Sequence, residues 1–125
     1  MLRASAQLLK PGGRTAFFTI HLTPGLSADD IERAAAAAPP AVVENLAPDR
    51  LLVDAGLTDV EAVDVTADFR EIQNAWYQQW QRHAAHLRKL LGDEVFDDRQ
   101  EERERTLGAI DDGLIRRTLC SATRP

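Results

Sequence analysis

A chain of 125 residues has room for one hydrophobic core and not for two. Its 44% apolar and 28% charged residues are ordinary for a globular protein and argue against wholesale disorder. A formal charge of −5 argues against a nucleic-acid partner, because phosphate binding needs clustered Lys and Arg.

Met1 to Leu9 reads as the tail of a helix, with Leu2, Ala6 and Leu9 on one stripe. The same residues make a poor signal peptide, since Pro11, Gly12 and Gly13 cut the apolar stretch short. No later run approaches the roughly 18 apolar residues of a membrane helix, so the expected location is the cytoplasm with no membrane partner. Pro11-Gly12 suits the central positions of a type II turn. Thr15 to Leu22 follows as a strand whose Phe17, Phe18 and Ile20 put bulk on both faces, the pattern of a strand covered on both sides in a parallel sheet.

Ser27, with Asp30 three residues on, resembles a capping box for a helix that runs through the alanines to Ala38 and stops at Pro39-Pro40. A short helix starts at Pro48, turns Leu51, Leu52 and Ala55 inward and ends at Gly56. Asp59 to Thr66 reads as a second strand, with Val63 and Val65 on one face and Val60 and Ala62 on the other. From Ala67, the residues Phe69, Ile72, Trp76, Trp80, Leu87 and Leu91 predict one amphipathic helix of about six turns, ended by Gly92. The charged run Asp97 to Arg105 predicts a solvated helix anchored by Phe96, Leu107 and Ile110. Asp111-Asp112-Gly113 turns the chain into a last strand, Leu114 to Ala122. That strand sends the one adjacent basic pair, Arg116 and Arg117, to opposite faces, and its lone Cys120 allows neither an internal disulfide nor a multi-cysteine zinc site.

Three stretches resemble the C-terminal half of a class I S-adenosylmethionine-dependent methyltransferase. Leu8 to Arg14 running into Phe17-Phe18 is similar to the passage from that family's fourth helix into its fifth strand; Leu51 to Val65 is similar to the passage into its sixth strand. Leu119 to Pro125 is similar to its last, antiparallel strand. The resemblance implies an α/β fold: a partial Rossmann-like sheet of about three strands, the last antiparallel, with flanking helices and a long helix between the last two strands. It also implies S-adenosylmethionine as cofactor and a small-molecule acceptor as substrate. The family's donor site, a glycine-rich loop and a ribose-binding carboxylate, belongs to the N-terminal half. The seven glycines here stand at 12, 13, 25, 56, 92, 108 and 113 and form no G-x-G. The expected organisation is therefore a single domain over residues 1–125, lacking the donor-binding half and inactive until that half is supplied upstream or by a partner chain. Met1 falls inside a helix on this reading, as a misplaced start codon or a truncated gene would give. The other class of function open to such a fragment is a non-catalytic dimerisation or protein-interaction module, with a homodimer or partner chain on its long helix and an exposed sheet edge.

Ligands of open α/β sheets sit beyond the carboxyl ends of the strands. His21 lies at that end of the first strand and is the candidate general base toward an acceptor; its plain alternative is a surface histidine entering a loop. Trp76, Tyr77 and Trp80 are candidates for the wall of the acceptor pocket, against the alternative that the two Trp residues only anchor their helix. His83 and His86 lack a third ligand for zinc, and the Asp97–Arg105 run lacks the ligand pattern of a calcium loop, so no metal site is expected.

Overall fold

The structure, a computed structural model, describes residues 2–37 and 47–125. Among the described residues six helices and three strands follow one another: α1 (Leu2–Leu8), β1 (Arg14–Leu22), α2 (Ala28–Ala37), α3 (Pro48–Asp54), β2 (Thr58–Asp64), α4 (Thr66–Arg82), α5 (Ala84–Leu91), α6 (Asp93–Asp111) and β3 (Ile115–Thr123). The strands form one sheet in the order β1-β3-β2, with the last strand of the chain lying antiparallel between the other two. The mixed α/β fold with a final antiparallel strand is thus the one the sequence implies. The residues Pro39-Pro40, expected to stop α2, lie outside the described residues.

Local chemistry sets the joints. Pro11-Gly12 makes the expected turn: Gly12 has φ 79° and the Gly13 N–H donates to the Lys10 carbonyl at 2.8 Å. Arg124 closes the same corner, donating from its guanidinium to the Leu9 carbonyl. Ser27 accepts the Asp30 N–H at 3.2 Å and so caps α2. At the start of β2 the register with β3 shifts between Thr58 and Glu61, and Asp59 there takes φ 49°, the left-handed conformation of a bulge.

Each face of the sheet carries its own core. On one face α1 and α3 bring Ala6, Leu52 and Leu57 onto Cys120 and Ala122, with Phe17 and Val60 beside them. On the other, α2, α4 and α6 bring Ala34, Phe69, Ala109 and Ile110 onto Leu22, Leu114 and Ile115. The second cover reaches only part of the sheet. Phe18 and Val63 flank Leu119 in one cross-strand row, and they remain 56% and 53% exposed. The sequence reading of β1 as a strand covered on both faces in a parallel sheet is corrected here: β1 pairs antiparallel with β3 alone among the described residues, and its Phe18 face is half open, with the Arg117 guanidinium 4.2 Å above the ring.

Two further expectations change. Val65 leaves the strand to become the residue before α4. The predicted six-turn helix is two helices, broken at His83 (φ −104°, ψ 23°) and ended by Gly92 as expected. The break has a packing reason. On a straight helix Trp80 and Arg88 would stand about 12 Å apart along the axis. With the bend both reach Phe96, the ring of Trp80 stacking on it at 5.6 Å and the Arg88 guanidinium lying 4.3 Å over it. No helix of the described residues is long and apolar enough to cross a membrane.

Candidate functional site

The carboxyl ends of β1 and β2 and the start of β3 meet at one end of the sheet. His21 stands there as expected, but it is buried, with 8% of its surface exposed, so the alternative of a surface histidine does not hold. Its Nδ1 lies 2.9 Å from the Leu22 carbonyl and its Nε2 2.8 Å from the Thr118 hydroxyl. A carbonyl only accepts, so Nδ1 carries the proton and Nε2 of the neutral ring accepts from Thr118. The buried Thr23 hydroxyl, two residues on, has no partner among the described residues.

Asp64 closes β2 on the same side of the sheet and accepts the Thr66 N–H, the first of α4, at 2.8 Å. Its carboxyl is held below the usual range by hydrogen bonds from Thr66, which outweigh the opposing effect of burial, and more weakly by the charges of Arg116 and His21. Thr118 and Asp64 were invisible as site residues in the sequence, because only the register places them beside His21.

The three aromatic candidates divide. Trp80 packs inward on Phe96 and carries the Arg103 guanidinium 4.1 Å over its ring. Tyr77 also meets α6: its hydroxyl donates to Glu104 at 2.7 Å, and its carbonyl accepts from Gln100 at 3.2 Å. The Glu104 bond pushes the phenol above its ordinary range. Trp76 is 56% exposed and, with Ile72, Ala75 and Gln79, lines a shallow apolar hollow of about 260 Å³. The reading of both Trp residues as core anchors therefore holds for Trp80 and fails for Trp76. His21 and the aromatics bond to different neighbours and form no single contact set.

Other depressions lie elsewhere among the described residues. One, of about 420 Å³, lies between α1, α3 and the chain end, at the amino end of β1 and away from His21. A second, of about 340 Å³, separates α2 from α6. A narrower cleft of about 200 Å³ sits at the carboxyl end of the sheet, between β1, α4 and α6, with Ile20 and Phe69 as floor and Arg99, Glu102, Arg103 and Thr106 as wall. Cys120 is fully buried and burial pushes its thiol up. His83 and His86 are exposed, and no group of three His, Cys, Asp or Glu among the described residues could hold a metal ion.

The chain spans part of larger solved proteins. Phosphoethanolamine N-methyltransferase 2 of Haemonchus contortus, solved with phosphomonomethylethanolamine and S-adenosylhomocysteine, matches 99% of this chain with 29% of its own, at a TM-score of 0.83 and 15% identity. The cyclopropane synthase MmaA2 of Mycobacterium tuberculosis matches 98% of this chain with 48% of its own, at a TM-score of 0.76 and 14% identity. A Galdieria sulphuraria protein assigned as a sarcosine dimethylglycine methyltransferase gives 0.82 and 11% identity, over 98% of this chain and 46% of its own. At these identities the likeness is one of fold: the described residues have the architecture of a portion of S-adenosylmethionine-dependent methyltransferases. No protein-family model matches the sequence, and no curated protein does.

The residues present do not fit S-adenosylmethionine. Binding would need backbone N–H groups opened by paired glycines after a strand, and a free carboxylate for the ribose diol. The glycines here close turns and helix ends or, as Gly108, sit within α6, and the carboxylate that ends β2, Asp64, is already bonded to the first N–H of α4.

Proposed function

We propose that this chain is the C-terminal, acceptor-side part of an S-adenosylmethionine-dependent methyltransferase acting on a small molecule, inactive until a donor-binding half joins it. The observation that supports this most is the sheet: a last strand inserted antiparallel between two others, in a fold that superposes over 98–99% of the chain on three solved proteins of that kind. The chain's own contribution would be to hold the acceptor. His21 serves as base through Thr118: a proton leaving the acceptor passes to the Thr118 oxygen while the hydroxyl's own proton moves to Nε2. Trp80 and Tyr77 stiffen the helical wall, and Trp76 offers apolar contact.

Calorimetric titration of the folded 125-residue chain with S-adenosylmethionine and S-adenosylhomocysteine tests the reading. The expected result is no saturable heat, with binding restored when a strand, glycine loop and helix are supplied ahead of residue 1. Saturable micromolar binding by the chain alone would refute the absent donor site.

A second reading, a non-catalytic dimerisation or interaction module, is favoured by one observation. The outer edge of β1 is unpaired among the described residues, and the Phe18–Leu119–Val63 row beside it is partly open. Binding of the donor by the joined halves speaks for the enzyme. A stable dimer whose joined form ignores the donor speaks for the module.

A further inference from the structure

The arginines on and around α6 are not alike. Arg33, Arg70 and Arg88 each meet a carboxylate, at 3.1 Å from Asp30, 2.6 Å from Asp111 and 2.7 Å from Asp97. Arg99 and Arg103, like Arg105 on the same helix, meet none within ion-pair distance among the described residues, although α6 is crowded with acids. One helical turn apart, Arg99 and Arg103 line the same cleft at the carboxyl end of the sheet.

Arg103 is held in place. Its guanidinium lies on the Trp80 ring and donates to the Gln100 side chain at 2.9 Å, while Gln100, itself buried, is tied to the Tyr77 carbonyl. This uses part of a five-donor fork and leaves the rest without an acceptor among the described residues. Desolvation and the neighbouring Arg99 both disfavour the Arg103 charge, and Glu102 only partly relieves it. The cleft thus sets two guanidiniums against one carboxylate above an apolar floor of Ile20 and Phe69. A volume of about 200 Å³ is that of several waters and takes the end of a molecule, not the whole of it.

We propose that this cleft binds an oxyanion, a carboxylate or phosphate, with Arg103 as the oriented fork and Arg99 as the second cation. As the anionic end of a methyl acceptor, the group would make this cleft the specificity determinant of the enzyme, an assignment that rests on the methyltransferase reading. The binding of the anion itself does not. Bidentate recognition of a planar or tetrahedral oxyanion suits Arg better than Lys, and prior immobilisation of the fork on Trp80 lowers the entropic cost.

The test is a two-dimensional NMR titration of the chain with inorganic phosphate and, separately, acetate, with ionic strength held constant by chloride. The two indoles act as reporter and control. Saturation in the millimolar range should move the Trp80 indole and leave Trp76 unmoved. Arg103→Gln should weaken binding about tenfold or more, and Arg103→Lys, which keeps the charge and loses the fork, should weaken it too. Arg105→Gln removes the same charge from an exposed position on the same helix and should change nothing. Should Arg103→Gln unfold, the exposed Arg99→Gln carries the same expectation. The tighter of the two anions identifies the group. Shifts that fail to saturate with both anions, or losses as large in Arg105→Gln as in Arg103→Gln, overturn the proposal. No methyl donor is present, so failure here leaves the methyltransferase reading standing, and failure of that reading leaves the anion site.

Discussion

His21 makes both hydrogen bonds its ring can make, and the Leu22 carbonyl fixes which nitrogen holds the proton. The neutral ring is therefore expected as the Nδ1–H tautomer, which long-range nitrogen–proton NMR correlations read directly; an Nε2–H signal would contradict the arrangement. Thr118→Val keeps the volume and leaves a buried nitrogen unpaired, so it should cost about 1–3 kcal/mol in chemical denaturation. Asp64 adds a pH dependence. Its folded pKa is depressed, so its contribution is present above the unfolded value of 3.8 and is lost as pH falls through the folded one. Asp64→Asn keeps an oxygen to accept the Thr66 N–H and removes the charge, so between pH 5 and pH 2 its melting temperature should fall less steeply than that of the wild type. The candidacy of His21 was readable, because its place at the end of an apolar strand depends on local pattern. Its burial was not, since Thr118 lies 97 residues away and only the β1–β3 register brings it close.

Elements show the same division between local and distant causes. Proline, glycine and cap residues placed most boundaries of β1, α3 and α6, because the forces that end an element act within a few residues. The break at His83 carries no proline or glycine, and nothing in the stripe from Phe69 to Leu91 signals it. It follows from Trp80 and Arg88 converging on Phe96, a partner on another helix. Two glycines allow a direct comparison. Gly92 joins α5 to α6 at φ 87° and ψ 155°, a conformation closed to other residues, and a Cβ there would touch nothing. Gly92→Ala is therefore a pure backbone cost of about 1–3 kcal/mol. Gly108, inside α6 with equal space around it, should gain about 0.5–1 kcal/mol as Ala through helix propensity. Thermal melts of the two variants should move in opposite directions; a shared direction would mean that the α5–α6 joint is not set by Gly92.

At the scale of the molecule, the sheet has a finished side and an unfinished one. The antiparallel last strand followed from the family resemblance, but the strand order and the exposure of Phe18 did not, because apolar bulk on both faces of a strand says nothing about whether a cover is present. Where the core is closed, Cys120 should resist thiol reagents until the chain unfolds, so its labelling rate should track global stability across denaturant. Where it is open, the edge can be read from two bonds. Arg124 donates to the Gly13 carbonyl and Thr23 to that of Leu114, which turns the odd-numbered residues of β1 toward β3. The N–H and C=O groups of Ala16, Phe18 and Ile20 therefore point outward. From Thr15 to Leu22 the strand has no proline, lysine or other charge to guard that edge. The 125-residue chain should accordingly self-associate in sedimentation velocity as concentration rises, and Ala16→Lys, exposed and in mid-edge, should suppress the association without lowering the melting temperature. A wild-type chain that stays monomeric at every concentration would remove the support for the interaction-module reading and leave the edge to a donor-binding half.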